Sequence, residues 1–470
     1  MRRLRFLQLP AHSHTVALAS LAAFGTQVVF ALLMLRLFSP QAVGEFSLLS
    51  QIGFFWMTLA LAQAPLSLLA NAGVPAHQAL RAAWRGSLLR GVWLLPVAAL
   101  AVWLSGLATL SALVWVLLLA ASQMAWMLAQ SFTLRVGTRW QQAAVRVVPP
   151  LTAALAALCG AWLDASGATL VASAVLGYAV GAVWLLPAWR PARVIAPSDA
   201  FTPSGKLQQA TDPRQQIRRD LEDDLAQAQA DARAEALPHV VCAQQSDPRS
   251  VRLRFAHTLC DALLATSVVV VWQRLYGAQD TGWLTALLRV LGFVPALVHM
   301  AWAQVVLAQG EATAPTHTTA LGAASPGVVP GVAADAPQPH TRARHAPRMA
   351  WLMGLGAAAC VAALTGVCAL ALDWEWLDAR WSGVLAYLLP VAVWQAAACV
   401  LAAFSHRPFQ TQAAVRYSWA CMALTGVQAL VLWWPVVIST SIDATQHITA
   451  FAGVSSVGLL ALSLWLARLR

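Results

Sequence analysis

The chain has 470 residues, of which 59% are hydrophobic and only 10% are charged, and its mean hydropathy is +0.64. Soluble domains are about 45–50% apolar and about 25% charged, so this composition excludes a soluble globular protein and predicts a polytopic membrane protein. The net charge of +11 does not indicate nucleic-acid binding, because the basic residues cluster in alternate loops and form no groove interleaved with aromatic residues.

Twelve stretches are apolar and long enough, or nearly long enough, to cross a bilayer as helices, which takes about 20 residues. The predicted fold is therefore an all-α polytopic membrane protein with about twelve transmembrane helices. The fifth stretch is the weakest, because it is short and opens with Pro149 and Pro150. In chain order the predicted spans are 15–38, 47–70, 89–106, 109–130, 148–163, 168–187, 255–272, 283–307, 350–372, 384–404, 416–438 and 447–467.

The basic residues predict the orientation of these spans. All but four of the 30 Lys and Arg residues lie in segments that are cytoplasmic if the N-terminus is inside. The predicted outer loops instead carry acidic residues, among them Asp164, Asp373 and Asp443. This asymmetry predicts that both termini are cytoplasmic. The four exceptions are Arg36, Arg274, Arg289 and Arg380.

The chain divides into two predicted six-helix bundles, residues 1–187 and 255–470, which have the same orientation in the membrane. Residues 188–254 are predicted to be a cytoplasmic linker with a charged helix that begins at Asp212, followed by proline. That helix is either a solvated connection or a partner-binding or gating element. A second cytoplasmic insertion near 310–349, rich in Ala, Pro, Thr, Gly and His, is predicted to be disordered.

One motif occurs in both halves. Residues 36–44 and 274–282 share the pattern R-L-[F/Y]-x-x-x-x-x-G at a constant offset of 238 residues, and a long apolar span follows each copy. A repeat of half the chain is typical of a transporter built from two similar halves.

The predicted eighth span contains an arginine, Arg289, and its equivalent in the repeat is Gln51. An ionisable side chain near the bilayer centre costs at least about 2.5–3.5 kcal/mol, so it usually faces a cavity or a partner. A guanidinium pairs well with a pyrophosphate through bidentate hydrogen bonds, which predicts anion binding in a cavity. The alternative is that Arg289 extends to the outer interface or pairs with an acid such as Asp280.

The predicted seventh span contains Asp261, with His257 one helical turn before it on the same face. Such a pair could take up and release a proton or a sodium ion and couple it to transport. The alternative is a hydrogen-bonded pair that fixes the inner end of the helix.

Several other polar or helix-breaking residues have two interpretations each. Arg36 and Arg274 either extend to the outer interface, or form an outer gate or a second phosphate contact, which makes Arg36 a candidate substrate ligand. Pro295 removes a backbone hydrogen bond and is either a hinge or a packing kink. Gln27 and His299 either line a cavity or form helix–helix hydrogen bonds.

The sequence indicates neither a cofactor nor an enzyme. It contains no nucleotide-binding loop and no metal-ligand cluster, and none of its seven cysteines lies in a predicted outer loop. The predicted outer loops are short, the longest being about 373–383, and none carries a paired acid and base. Transport would therefore have to use an ion gradient or the gradient of the substrate itself.

The repeated motif resembles that of the multidrug/oligosaccharidyl-lipid/polysaccharide exporter superfamily, and it is most similar to the polysaccharide-biosynthesis flippases of the O-antigen type. The recognisable residues are Leu32–Thr58 and Gln273–Leu307. The resemblance implies two six-helix bundles that form a V around a central cavity in the bacterial inner membrane. It also implies a polyprenyl-pyrophosphate-linked glycan as substrate, with its tail among membrane lipids. The lipid II flippases of the superfamily have fourteen spans, and the 188–254 insertion is longer than expected for an O-antigen flippase.

The sequence thus predicts an inner-membrane flippase for a polyprenyl-pyrophosphate-linked oligosaccharide, working by alternating access. Arg289, Gln51 and Arg36 would hold the pyrophosphate. The alternatives are an exporter of the same superfamily driven by H⁺ or Na⁺, a membrane-embedded glycosyltransferase or glycan ligase, and a non-transporting scaffold that binds a partner through residues 188–254.

Overall fold

The computed structural model of the chain describes residues 25–26, 30–62, 64–70, 74–107, 109–185, 248–299, 339–410, 413–438 and 441–469. Every regular element in these residues is helical. Short helical segments also cover 30–37 and 293–299. The helices are α1 (Pro40–Leu61), α2 (Ala64–Ala70), α3 (Ala76–Trp93), α4 (Leu95–Leu104), α5 (Leu110–Val136), α6 (Arg139–Ala161), α7 (Gly167–Ala182), α8 (Pro248–Leu291), α9 (Pro339–Asp373), α10 (Val384–Phe404), α11 (Arg407–Gln410), α12 (Ala414–Ile438) and α13 (Ala444–Arg468).

The helices have the length and surface of membrane spans. Eight helices in the described residues are long and apolar enough to cross a bilayer, or nine if the bent pair α3 and α4 is one span. Large apolar side chains face outward along them, including Trp93 at 79% exposure and Leu389 at 70%. Soluble proteins rarely expose apolar surface on this scale. The chain is therefore an all-α polytopic membrane protein.

Helix α8 and its continuation are long enough to cross a bilayer twice. Phe255–His299 is 45 residues long, about 67 Å at 1.5 Å per residue, which is more than twice the ~30 Å of the hydrocarbon core. Gly277 interrupts it with φ 85° and ψ −177°, a conformation that side chains other than glycine rarely adopt. The helix resumes directly after Gly277, so Asp280 and Gly282 are helical, although both lie between the predicted spans 255–272 and 283–307.

The predicted second span, 47–70, is broken. Helix α1 ends at Leu61, Ala62 has φ 47°, and α2 begins at Ala64. Pro65 has no N–H to donate to the carbonyl of Leu61. The Arg90 guanidinium supplies this bond instead, at 3.1 Å to Leu61 O, and also bonds Ala60 O at 2.7 Å.

The predicted fifth span, 148–163, is too short. Helix α6 begins at Arg139 and continues through the two prolines that the sequence prediction takes as its start. Pro149 leaves the carbonyl of Val145 without its helical donor. Trp126 Nε1 of α5 donates to that carbonyl at 2.8 Å. The helix can therefore continue, because a neighbouring helix satisfies the freed backbone group.

The two halves of the chain pack together as one compact unit, made of the described residues up to Leu185 and from Ala256 on. They meet at the end of the spans that the charges assign to the outside, which we call the outer end. A Cβ atom on Gly44 would overlap the carbonyl of Ala278, and one on Gly282 would overlap the carbonyl of Pro40. Both pairs are repeat equivalents at the offset of 238. The contact is therefore two-fold symmetric.

Two predicted insertions lie largely outside the described residues. Of the linker 188–254, only 248–254 is described, and it forms the start of α8. Of the insertion near 310–349, residues 339–349 are described, and they are helical as the beginning of α9. Gln27 also lies outside the described residues.

Candidate functional site

A cavity of about 570 Å³ lies between the two halves. In the N-terminal half its walls come from α1, α5 and α7. In the C-terminal half they come from α10, from α13 and from both arms of α8, the first before Gly277 and the second after it. The N-terminal wall is largely polar, and the C-terminal wall is largely aliphatic and aromatic. The lining residues are Ser47, Ser50, Gln51, Phe54, Leu119, Gln123, Tyr178, Asp261, Leu264, Ala265, Val268, Val269, Thr285, Leu288, Arg289, Trp394 and Phe451.

Arg289 lies in this cavity, on the second arm of α8. Its guanidinium carbon is 4.6 Å from the ring centre of Phe46, and its Nη1 is 3.5 Å from Met34 Sδ. Among the described residues, no carboxylate forms an ion pair with it. The alternative partner Asp280 instead accepts a hydrogen bond of 2.5 Å from Tyr387 Oη. The guanidinium therefore offers donors to the cavity without an ion-pair partner in the described part of the chain.

Gln51 lies in the same cavity as Arg289. The repeat equivalence therefore places an amide from α1 and a guanidinium from α8 at one site. Ser47 lies one helical turn before Gln51, and Ser50 lies beside it, so α1 presents hydroxyl and amide groups to the cavity.

Asp261 also lines the cavity, with its side chain 56% exposed. His257 Nε2 is 3.2 Å from one carboxylate oxygen, and Thr425 Oγ1 of α12 donates to the other at 3.3 Å. His257 packs edge-on against Tyr417, with ring centres 5.9 Å apart. The pair is thus both a helix–helix contact and a titratable group that reaches the cavity. Its role in ion coupling remains a prediction.

Arg36 does not line the cavity. It is exposed and donates to the backbone carbonyl of Trp376, beyond the outer end of α9. Arg274, its repeat equivalent, donates to the carbonyl of Leu104 at 3.2 Å, at the outer end of α4. Each arginine therefore bonds the opposite half of the chain. This placement separates Arg36 from Arg289 and Gln51, and its substrate-binding role remains a prediction.

Pro295 lies next to a break in its helix. Helix α8 ends at Leu291, Gly292 is not helical, and the helix resumes at residue 293. The missing N–H of Pro295 accounts for the break, because it leaves the carbonyl of Leu291 without a helical donor. One turn further on, His299 Nδ1 is 3.0 Å from Ser405 Oγ, a helix–helix hydrogen bond. The hinge role of Pro295 remains a prediction.

The sequence analysis singled out Gln51, Asp261 and Arg289 among the lining residues, and it missed Gln123, Tyr178 and Trp394. Tyr178 stacks on Trp126 with ring centres 5.2 Å apart, so its position in the wall is held by packing between α5 and α7. Gln123 could have been recognised in the sequence as a candidate lining residue, because it is an amide in the middle of an apolar span. Tyr178 and Trp394 could not, because aromatic residues occur throughout such helices.

The described residues contain no group of three or more His, Cys, Asp or Glu side chains that could hold a metal ion. The six cysteines that the structure describes are free thiols, and four of them are at least partly exposed. The cavity chemistry in the described part of the chain is therefore that of one guanidinium, one carboxylate, and a set of amides, hydroxyls and aromatic rings.

Comparison with solved structures finds the inward-facing conformation of a multidrug resistance MATE family transporter of the MOP superfamily. The match covers 96% of this chain and 93% of that chain, with 12% sequence identity and a TM-score of 0.41. No protein-family profile and no curated protein matches the chain. The helices and the cavity themselves define the class: a multi-pass, all-helical membrane protein with a cavity between two halves, one wall of which is largely polar.

Proposed function

We propose that the chain is a membrane transporter of the multidrug/oligosaccharidyl-lipid/polysaccharide exporter superfamily, and that it is a flippase for a polyprenyl-pyrophosphate-linked oligosaccharide in the bacterial inner membrane. One observation carries the proposal: Arg289 lies in the cavity between the halves and has no carboxylate partner in the described residues. A guanidinium that lines a cavity without an ion-pair partner in the described residues is suited to an anionic cargo.

The cavity supplies groups for the other parts of such a substrate. Arg289 offers a planar set of donors that matches a pyrophosphate, and the amide of Gln51 can add a further hydrogen bond. Amides and hydroxyls on the N-terminal wall can bond sugar hydroxyls. Trp394 offers an aromatic face on which a sugar ring can stack.

Two arginine contacts between the halves, which we call the crossed arginine contacts, close the outer end of the cavity in the proposed alternating-access cycle. Arg36 and Arg274 each bond a carbonyl of the opposite half, beyond the glycine contact between Gly44 and Gly282. Opening the cavity to the outside requires that these contacts separate. We therefore assign Arg36 to the outer gate, and the pyrophosphate to Arg289 and Gln51.

Asp261 supplies a site for the coupling ion, H⁺ or Na⁺. Its carboxylate is held between His257 and Thr425 and is open to the cavity that the substrate would enter. A change in its charge would alter the contact between α8 and α12. Binding of the ion and the arrangement of the helices would thus be linked.

The test is the sidedness of lipid-linked oligosaccharide in cells depleted of this protein. We expect accumulation on the cytoplasmic leaflet, rescue by the wild-type chain, no rescue by Arg289→Ala and partial rescue by Arg289→Lys. The matched control is Arg348→Ala, which changes an exposed arginine in the predicted cytoplasmic insertion near 310–349, away from the cavity. This variant should rescue fully. Membrane levels of each variant are measured in parallel.

Each other outcome has a definite meaning. Full rescue by Arg289→Ala would remove this arginine from the mechanism. Normal sidedness in depleted cells would contradict flipping.

The second candidate is an ion-driven multidrug exporter of the same superfamily. It is favoured by Asp261, because a carboxylate and the aromatic rings of Phe54, Trp394 and Phe451 line the same cavity, as a cationic drug would require. Raised sensitivity to cationic drugs in depleted cells, with normal sidedness of the oligosaccharide, would support this candidate instead.

A further inference from the structure

A second pocket of about 240 Å³ lies outside the central cavity, between α1, α3, α4 and α5. The polar side-chain groups among its lining residues are the hydroxyl of Ser87 and the indole N–H of Trp56, which donates to Gly91 O at 3.0 Å. The bend of 47° between α3 and α4 leaves this space beside α5. A pocket of this kind is dry, because it offers water almost no hydrogen-bond partners.

The pocket opens towards the lipid-facing surface. Two of its lining residues on α3, Leu88 and Val92, are 43% and 69% exposed. Their neighbours Leu89 and Trp93 are 62% and 79% exposed and belong to the apolar exterior of the helix. An alkyl chain from the bilayer can therefore enter from the side without crossing a polar rim.

The same face of α3 becomes basic one turn beyond the pocket. Arg81, Arg85, Leu88 and Val92 follow one another at spacings of four, three and four residues, which places them on one side of the helix. Arg85 is about 10 Å along the helix axis from Val92 at 1.5 Å per residue. Both arginines are exposed. This distance suits a lipid whose head group contacts the arginines while a chain enters the pocket.

The charge of these arginines is not balanced by the N-terminal half. Only two acidic residues precede residue 199, Glu45 and Asp164, and both are assigned to the outer side by the charge distribution. Arg90, nearer the pocket, is occupied by the carbonyls of Ala60 and Leu61. An anionic head group therefore gains attraction from Arg81 and Arg85, which a zwitterionic one lacks.

We propose that this pocket is a lateral binding site for an anionic phospholipid, with one acyl chain between α3 and α5 and the head group on Arg81 and Arg85. The site is separate from the central cavity, and it does not depend on what the protein transports.

The experiment measures the phospholipid that copurifies with the full-length protein in a mild detergent, by extraction and mass spectrometry. Ala121, an exposed lining residue on α5, is changed to Phe to fill the pocket. We expect Ala121→Phe to lower the retained phospholipid by about tenfold, because the buried chain supplies most of the affinity. Leu118→Phe, at a 44% exposed position of the same helix outside the lining, should retain as much as the wild type.

The head-group assignment is tested in vesicles of phosphatidylethanolamine with and without phosphatidylglycerol. Arg85→Gln should lower the ratio of retained phosphatidylglycerol to phosphatidylethanolamine by about fivefold, the effect of one basic residue near a lipid surface. Arg348→Gln, an exposed arginine on α9, should leave the ratio unchanged. Size-exclusion profiles and melting temperatures establish that each variant is folded.

Three results would overturn the proposal. The first is equal retention by Ala121→Phe and Leu118→Phe. The second is a head-group ratio that Arg85→Gln and Arg348→Gln change equally. The third is recovery of an isoprenoid lipid, or of no lipid at all, from the folded wild-type protein.

Discussion

Gly44 and Gly282 lie against each other's helices in a two-fold arrangement, although 238 residues separate them. Gly44 faces the carbonyl of Ala278, and Gly282 faces the carbonyl of Pro40. Because glycine has no side chain, each of the two lets the backbone of the opposite half approach more closely than any larger residue would permit. The repeated motif in the sequence is therefore a contact surface that the two halves share.

Adding one methyl group at this contact should loosen the outer end. In Gly44→Ala or Gly282→Ala the new Cβ meets backbone atoms, which cannot rotate away, so the halves must separate. We expect faster labelling of Ser50→Cys, in a cysteine-free background, by a membrane-impermeant maleimide applied from outside. Gly426→Ala is the control, because no atom lies within 4 Å of its added Cβ. Equal labelling of Gly44→Ala and Gly426→Ala would contradict the prediction.

Removing the crossed arginine contacts should also loosen the outer end and speed the labelling of Ser50→Cys from outside. Arg36→Gln and Arg274→Gln each lose a donor to a carbonyl of the opposite half. Since both contacts are exposed, we expect only a roughly threefold increase in outside labelling of Ser50→Cys for each change. If Arg36 instead binds substrate, Arg36→Gln would impair transport and leave the labelling rate at the wild-type value.

The coupling role of Asp261 can be separated from a structural one. We expect Asp261→Asn to retain exchange of substrate across vesicle membranes but to lose accumulation driven by an imposed ion gradient, because the asparagine cannot change its charge. Asp373→Asn, at the predicted outer surface, should keep both activities. A purely structural pair would instead give Asp261→Asn and His257→Gln the same loss of melting temperature, with coupling intact.

The side chain of Trp126 should contribute more to the free energy of unfolding when residue 149 is proline than when it is alanine. Trp126→Phe leaves the buried carbonyl of Val145 without a donor, at a cost of about 1–3 kcal/mol. In a Pro149→Ala background the new backbone N–H can bond that carbonyl, so the same change should cost less. A double-mutant cycle of unfolding free energies in detergent measures the difference. Equal costs in the two backgrounds would show that Trp126 acts through packing alone.

The burial of His406 leads us to expect that the folded protein loses stability at acidic pH. It is 1% exposed and lies after the end of α10. Burial and the adjacent Arg407 lower the pKa of His406, so the folded protein favours the neutral ring. The resulting stability is present above the ordinary histidine pKa of about 6.5 and is lost as the pH falls through that value towards the lowered one.

The measurement for His406 is the melting temperature at about pH 8 and about pH 5.5, on either side of the ordinary histidine pKa. The wild type should lose more stability between the two than His406→Gln does. His77→Gln, at a partly buried histidine, should behave like the wild type. An identical loss in His406→Gln would assign the pH dependence to other groups.

The sequence alone determined the class of the protein and the positions of most of its helices. Composition sufficed for the class, because a bilayer accepts long apolar helices and few charges. The repeat at an offset of 238 also predicted that Gln51 and Arg289 occupy equivalent positions, and both line one cavity. Intramembrane polarity is rare, so Asp261 and Arg289 stood out from the sequence.

Only the tertiary structure decided how helices are interrupted and which polar groups meet. The prolines at 65 and 149 are alike in sequence, yet α1 ends before the first and α6 continues through the second. A neighbouring side chain, Arg90 or Trp126, bonds the freed carbonyl in both places, so the difference lies in the backbone, which turns to φ 47° at Ala62 after α1. The partners of Arg36 and the place of Tyr178 in the cavity wall likewise depend on helix rotation. Helix rotation is set by packing between distant segments, which local hydropathy does not encode.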